Sequence, residues 1–163
     1  MPQLIKDGNI VENDNWLCLD EEQCSGSIPN ASFIPLSVFL NSASASLPEE
    51  IGVWLSASDD VNTLALHLEH VKKIACRIEN FMDGRNFSQA RILRDQLGYS
   101  GGIRAIGGFI EDQLFFLKRC GFDEFQFDKE ADIKLIQESL HDFSESYQAA
   151  CDISEPLFRR RSS

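Results

Sequence analysis

From residue 51 onward the chain switches four times between a short run of strand character and a longer run of helical spacing. No other feature constrains its fold as strongly. The strand-like runs cover residues 51–56, 74–79, 102–106 and 122–127. The helical runs cover 60–71, 88–97, 109–120 and 132–148. The last is the clearest, with Ile133, Ile136, Leu140, Phe143 and Tyr147 on one face. Four consecutive βα units predict an α/β fold with a parallel sheet and right-handed crossovers. A closed eightfold barrel takes roughly 200 residues or more. This chain has 163, so the expectation is an open or half-barrel-like sheet.

Ahead of the repeats, Leu4-Ile5 and Ile10-Val11 flank a turn that contains Asp7-Gly8, which predicts an N-terminal β-hairpin. Residues 16–19 suggest a further strand and 35–44 a short helix. The chain reads as a single domain over residues 1–152, in which 1–48 form the hairpin and a connecting segment and 49–152 the βα repeats. A flexible tail is expected over 153–163. Its N-terminus lacks the apolar stretch of a signal peptide. No run approaches the length of a membrane span, so a cytoplasmic location is expected.

A parallel strand covered on both faces is nearly all apolar. Two of these strands are not. Residues 74–79 alternate, with Arg77 and Glu79 opposite Ile74, Cys76 and Ile78, and Arg104 sits in the middle of 102–106. Either one sheet face is open, or Glu79 pairs with an arginine of a neighbouring strand.

Charge sharpens where function is to be sought. The net charge is −11, which argues against a general nucleic-acid binder and against adhesion to an anionic membrane. Yet residues 72–119 hold nine bases against five acids, a segment of +4. An anion recognised by this protein is expected there, beyond the carboxyl ends of the strands, where ligands bind in such sheets.

Within that segment, Asp83, Gly84, Arg85 and Ser88 join a strand to a helix. Gly84 frees the turn, Ser88 can cap the helix, and Arg85 can grip an oxyanion or pair with Asp83. Gly107-Gly108 occupies the corresponding place after the next strand, and Arg104 joins the candidate anion site if the strand face is open. On helix 109–120, Phe109, Leu114, Phe116 and Leu117 supply a core face, which leaves Phe115 among Asp112, Arg119 and other charged residues as a candidate partner or homodimer contact. The five cysteines include no CxxC pair, and Cys76 and Cys120 read as core thiols. His67 and His70 have no third ligand nearby in sequence, so no metal site is expected. No dinucleotide, P-loop, haem, flavin or iron–sulfur motif is present, and no cofactor is evident.

The strings DGRNFSQARILR (residues 83–94) and IRAIGGFIEDQLFFLKRCGFDEF (103–125) resemble the bacterial domain-of-unknown-function family nine-three-four. LIKDGNIVENDNW (4–16) and DFSESYQ (142–148) resemble it as well. The family pattern falls on Asp83, Gly84, Arg85, Ser88, Ala90, Arg94, Arg104, Gly107, Asp112, Gln113, Arg119, Gly121, Phe122 and Asp123. Where the family usually places an acid after the first glycine, this chain has Gly108. The resemblance implies a role in assimilatory sulfite reduction, where members are described as oxidoreductases, but transfers no catalytic residue. Three readings follow. One is an accessory factor docking on sulfite reductase or its redox partner. Another is a small enzyme or sensor for sulfate, sulfite or phosphate. The third is a redox enzyme of sulfite reduction.

Overall fold

The computed structural model describes residues 2–141. Within them, α/β alternation holds. In chain order come β1 (Gln3–Lys6), β2 (Asn9–Ile10), β3 (Leu17–Cys18), β4 (Ser32–Pro35), α1 (Leu36–Asn41), β5 (Ile51–Leu55), β6 (Lys73–Ile78), α2 (Arg85–Arg91), β7 (Gly102–Gly107), α3 (Leu114–Cys120), β8 (Glu124–Phe127) and α4 (Ile133–His141). One eight-stranded sheet has the order β2-β1-β8-β7-β6-β5-β4-β3. Strands β3 to β8 are parallel neighbours in sequence order, and β1 pairs antiparallel with β8. The sheet is therefore mixed. The predicted hairpin joins it as an antiparallel edge, with Asp7 and Gly8 at φ 51° and 77° in the turn.

Sequential order has a consequence. When each right-handed crossover steps the same way along a sheet, every helix lands on the same face. The main core lies there, joining Val53, Ile74, Cys76, Ile103 and Phe125 of the strands to Phe39, Leu93, Leu117 and Ile136 of the helices. The opposite face has only a small cluster of Phe33, Ala75 and Ile106, edged by Trp16, Cys18 and Trp54. This explains the alternation of β6 and β7, whose polar members lie on the helix-free face. Glu79 is exposed just beyond the end of β6 and does not supply the strand pairing.

The sheet must also curl. Strands β2 and β3 stand at opposite edges, seven gaps apart, yet only residues 11–16 join them. Seven gaps span about 34 Å along a sheet, whereas the extended chain from Ile10 to Leu17 reaches about 24 Å. The connection is thus a chord across the inner, helix-free side of a half-barrel. Backbone hydrogen bonds from Val11 to Leu4 and from Leu17 to Ala31 anchor its two ends.

Three expected elements differ. Residues 60–71 form two 3-10 turns, Val61–Leu64 and Leu68–His70, instead of a helix. Asp60 caps Asn62 N–H and the Thr63 hydroxyl donates back to the Asp60 carbonyl, a local pattern that competes with α-helical bonding. Buried Val61, Leu64 and Val71 still dock the segment. The second helix begins at Arg85, three residues before Ser88, and continues through a π-turn to Gln96 before Gly98 at φ 64°. The third begins with a 3-10 turn, Glu111–Gln113, and ends at Gly121 with φ 114°. The expected helix over 132–148 is seen as α4 to His141; its remainder, Cys151 and the expected tail lie outside the described residues. Among the described residues no helix is long and apolar enough to cross a membrane.

Arg94 fixes the packing of α2 against the sheet. Its guanidinium donates to the carbonyls of Tyr99, Gly101 and Gly121 at 2.8, 2.7 and 3.0 Å. Replacement of Arg94 by Ala is expected to cost about 2–4 kcal/mol in denaturant unfolding, because three carbonyls lose a charged donor. Arg94→Lys should recover only part of that loss.

Candidate functional site

At the carboxyl end of the strands, the residues 83–94 prove to be mainly a fastening. Asn86 Nδ2 donates to Gln89 Oε1, and Gln89 Nε2 donates to the carbonyls of Ser56 and Asp59, both at 2.8 Å. The two buried amides therefore hold the loop after β5. Phe87, Ala90 and Leu93 enter the core. Arg85 is exposed and turns back on Asp83, its Nε and Nη2 donating to both carboxylate oxygens at 2.6–3.1 Å. That pairing lowers the Asp83 pKa to about 2. Gly84, not Ser88, stands at the helix N-cap, and the Ser88 hydroxyl donates to the Gly84 carbonyl from within the helix. A cavity of about 230 Å³ lies beside Arg85 and Ser88, but Asp59 and Asp60 line it too, which weakens its appeal to an anion.

Gly107 and Gly108 serve close packing. At Gly107 φ is 103°, and a Cβ there would lie 2.8 Å from the Ile78 carbonyl oxygen. A Cβ on Gly108 would lie 2.8 Å from the Glu79 carbonyl oxygen and 2.9 Å from that of Ile78. An acidic side chain cannot enter at residue 108 without moving backbone. Gly108→Asp is expected to destabilise the fold by about 1–3 kcal/mol, as read by thermal unfolding.

Asp112, in the 3-10 turn before α3, is exposed, and Phe115 on α3 is half-buried beneath the Arg119 guanidinium, 5.9 Å away. The exposed aromatic is its neighbour Phe116, which is 48% accessible. Expecting Phe116 in the core was incorrect. The reason is the 3-10 start of the helix, which turns α3 relative to a continuous helix from 109. Phe116 packs edge-on against Phe87 and Phe81, 5.3 and 6.1 Å between centroids, and Met82 beside Phe81 is exposed.

Arg104 is elsewhere. It lies wholly buried on the inner face of β7 and shares no partner with Arg85. In the sheet register, Trp54, Ala75, Arg104, Glu124 and Lys6 form one row across five strands. Arg104 Nε donates to Glu124 Oε2 at 3.0 Å, and Nη1 to Gln126 Oε1 at 3.1 Å. Its Nη1 and Nη2 take both oxygens of Asp14, in the chord, at 2.7 and 3.0 Å. Lys73 and Lys6 reach the other Glu124 oxygen at 2.7 and 3.4 Å. Further along the face, Arg77 lies 4.2 Å from the Trp54 ring centre and reaches Cys18 and Asp20. The sheet thus contributes four cations against the single carboxylate of Glu124, and the segment outside it contributes Asp14 and Asp20. Beside Asp14 is a cavity of about 540 Å³, bordered also by Trp16, Glu12, Gln126 and Leu4.

Sequence reasoning singled out Arg77 and Arg104 but missed Glu124, Lys73, Gln126 and Asp14. For Glu124 and Gln126 the signal was available: they alternate with Phe125 and Phe127 at period two. Nothing local marks Asp14, which meets Arg104 only through the curl of the sheet.

A one-sided α/β half-barrel with a buried charge cluster on its inner face is the class these features define. The family model described as a bacterial protein of unknown function (DUF934) matches residues 52–158, and the chain belongs to that family. No curated protein and no solved structure matches it. The matched stretch holds Arg104, Glu124, Lys73 and Arg77; Asp14 and Trp16 precede it.

Burial alone would raise the Glu124 pKa, but Lys73 and Arg104 outweigh it and hold it below 4.5. A carboxyl held low stabilises the fold fully above its unfolded value and loses that contribution as pH falls through its folded value. Unfolding followed from neutral pH to below 4.5 should show a steep loss in the natural protein. In Glu124→Gln that part of the slope should vanish, on top of a loss of about 3–5 kcal/mol at neutral pH.

Proposed function

We propose that the protein is a cytoplasmic accessory factor of assimilatory sulfite reduction that docks on sulfite reductase or its redox partner. The observation that carries the docking half of this reading is the Phe81, Phe87 and Phe116 stack at the carboxyl end of the sheet. Its outer members, with Met82 at 88% exposure, offer water a contiguous apolar surface. Aromatic and methionine side chains are the ones that interface cores favour. The pathway half comes from the family resemblance alone. Against the oxyanion pocket at Arg85 stand its tie to Asp83 and the two acids of the adjoining cavity.

The experiment is affinity purification from cells growing on sulfate as sole sulfur source. The natural chain should bring down a subunit of the reductase or of its electron donor. Phe116→Asp should lose that partner while keeping its melting temperature within a few degrees, since the ring is half exposed. Recovery of a second copy of this chain alone, or no difference between the two forms, defeats the proposal.

A further inference from the structure

We infer that the inner face of the sheet is a binding site for a small tetrahedral oxyanion, and that the Asp14 carboxylate occupies it as an internal stand-in. Nε of Arg104 is committed to Glu124, and the two terminal nitrogens also serve the sheet, Nη1 through Gln126 and Nη2 through Glu124, both residues of the neighbouring strand. The outer edge, Nη1 and Nη2, holds two oxygens of one group in the paired geometry by which arginine recognises carboxylate, sulfate and phosphate. That group belongs to the chord, a stretch without strand or helix whose residues 12–15 are exposed.

Charge points the same way. Glu124 is shared by Arg104, Lys73 and Lys6, so this one carboxylate does not balance the sheet's four cations. Their remaining counter-charges, Asp14 and Asp20, both come from the segment outside it. Withdrawal of the chord takes Asp14 and Glu12 away from the 540 Å³ cavity they border, leaving Glu130 as the acid of its lining and Nη1 and Nη2 of Arg104 open to an oxyanion. The incoming oxyanion takes the two Asp14 positions, and the carboxylate moves to water. The site rests on the inner face alone and stands or falls independently of docking at Phe116.

Both tryptophans of the chain line this face, Trp16 against Phe33 at 4.8 Å and Trp54 beneath Arg77. Intrinsic fluorescence is therefore a direct report. The natural protein is titrated with sodium sulfate, sodium phosphate and sodium acetate against sodium chloride at equal ionic strength. Sulfate or phosphate should give a saturable change that chloride does not, with acetate weaker. Asp14→Asn should bind the same anion roughly 10- to 1000-fold more tightly, because a closed form that leaves about 0.1–10% of the protein open no longer competes. Arg104→Lys keeps a cation for Glu124 but loses the fork, and should lose the response while remaining folded by circular dichroism. Absence of a saturable response in folded Asp14→Asn, or a response unchanged in Arg104→Lys, overturns the inference.

Discussion

A guanidinium out of reach of water holds the inner side of this sheet together. Isolating such a charge costs several kcal/mol, a large share of a typical domain's whole stability, and Glu124, Gln126 and Asp14 surround Arg104 to offset it. Those partners fix more than a side chain. Glu124 binds β8 to β7 and, through the lysines, to β6 and β1. Asp14 pulls the connecting chord down across the face. The helical side of the sheet is an ordinary apolar core. The inner side is an electrostatic assembly beside a small apolar cluster of Phe33, Ala75 and Ile106 edged by Trp16, Cys18 and Trp54.

Room for that assembly comes from small residues at particular register positions. In the row beside Arg104, Phe33, Gly52, Lys73 and Gly102 are neighbours. A Cβ on Gly52 would lie 2.5 Å from the Phe33 ring and 2.9 Å from that of Trp16. Glycine weakens a strand by itself, and here it allows large groups from two neighbouring strands and the chord to lie flat.

The strands were legible because period-two patterning and turn residues are local. The hairpin around Asp7-Gly8, most strand positions and the stop at Gly98 could be read from a few adjacent residues, but β4 at Ser32–Pro35 was missed, where only a connection and a helix from residue 35 were expected. The helix-free face could be read as one of two alternatives, from Arg77 and Arg104. Other features depended on distant groups. Residues 60–71 carry a helical stripe that side-chain capping by Asp60 and Thr63 overrides. Arg85 and Arg104 look like members of one basic site because they are close in sequence, yet a strand end and a strand middle with inward-facing side chain are separate places. Phe116 lies outside the buried stripe that Leu114, Leu117 and Cys120 set on α3, and Phe115 is half-buried rather than exposed. Asp14 was beyond reach altogether, since its role depends on a strand residue 90 positions away and on the order in which the strands pair.

That order also dictates a sequence of events in time. Lys6 and Glu124 are 118 positions apart, so β1 has no place in the sheet until β8 has been made. Strands β4 to β7 can pair with near neighbours as the chain lengthens, at small cost in loop closure. The hairpin cannot. The first strand to emerge during synthesis is among the last to be seated, and until then Arg104 and the aromatic corner lack part of their cover.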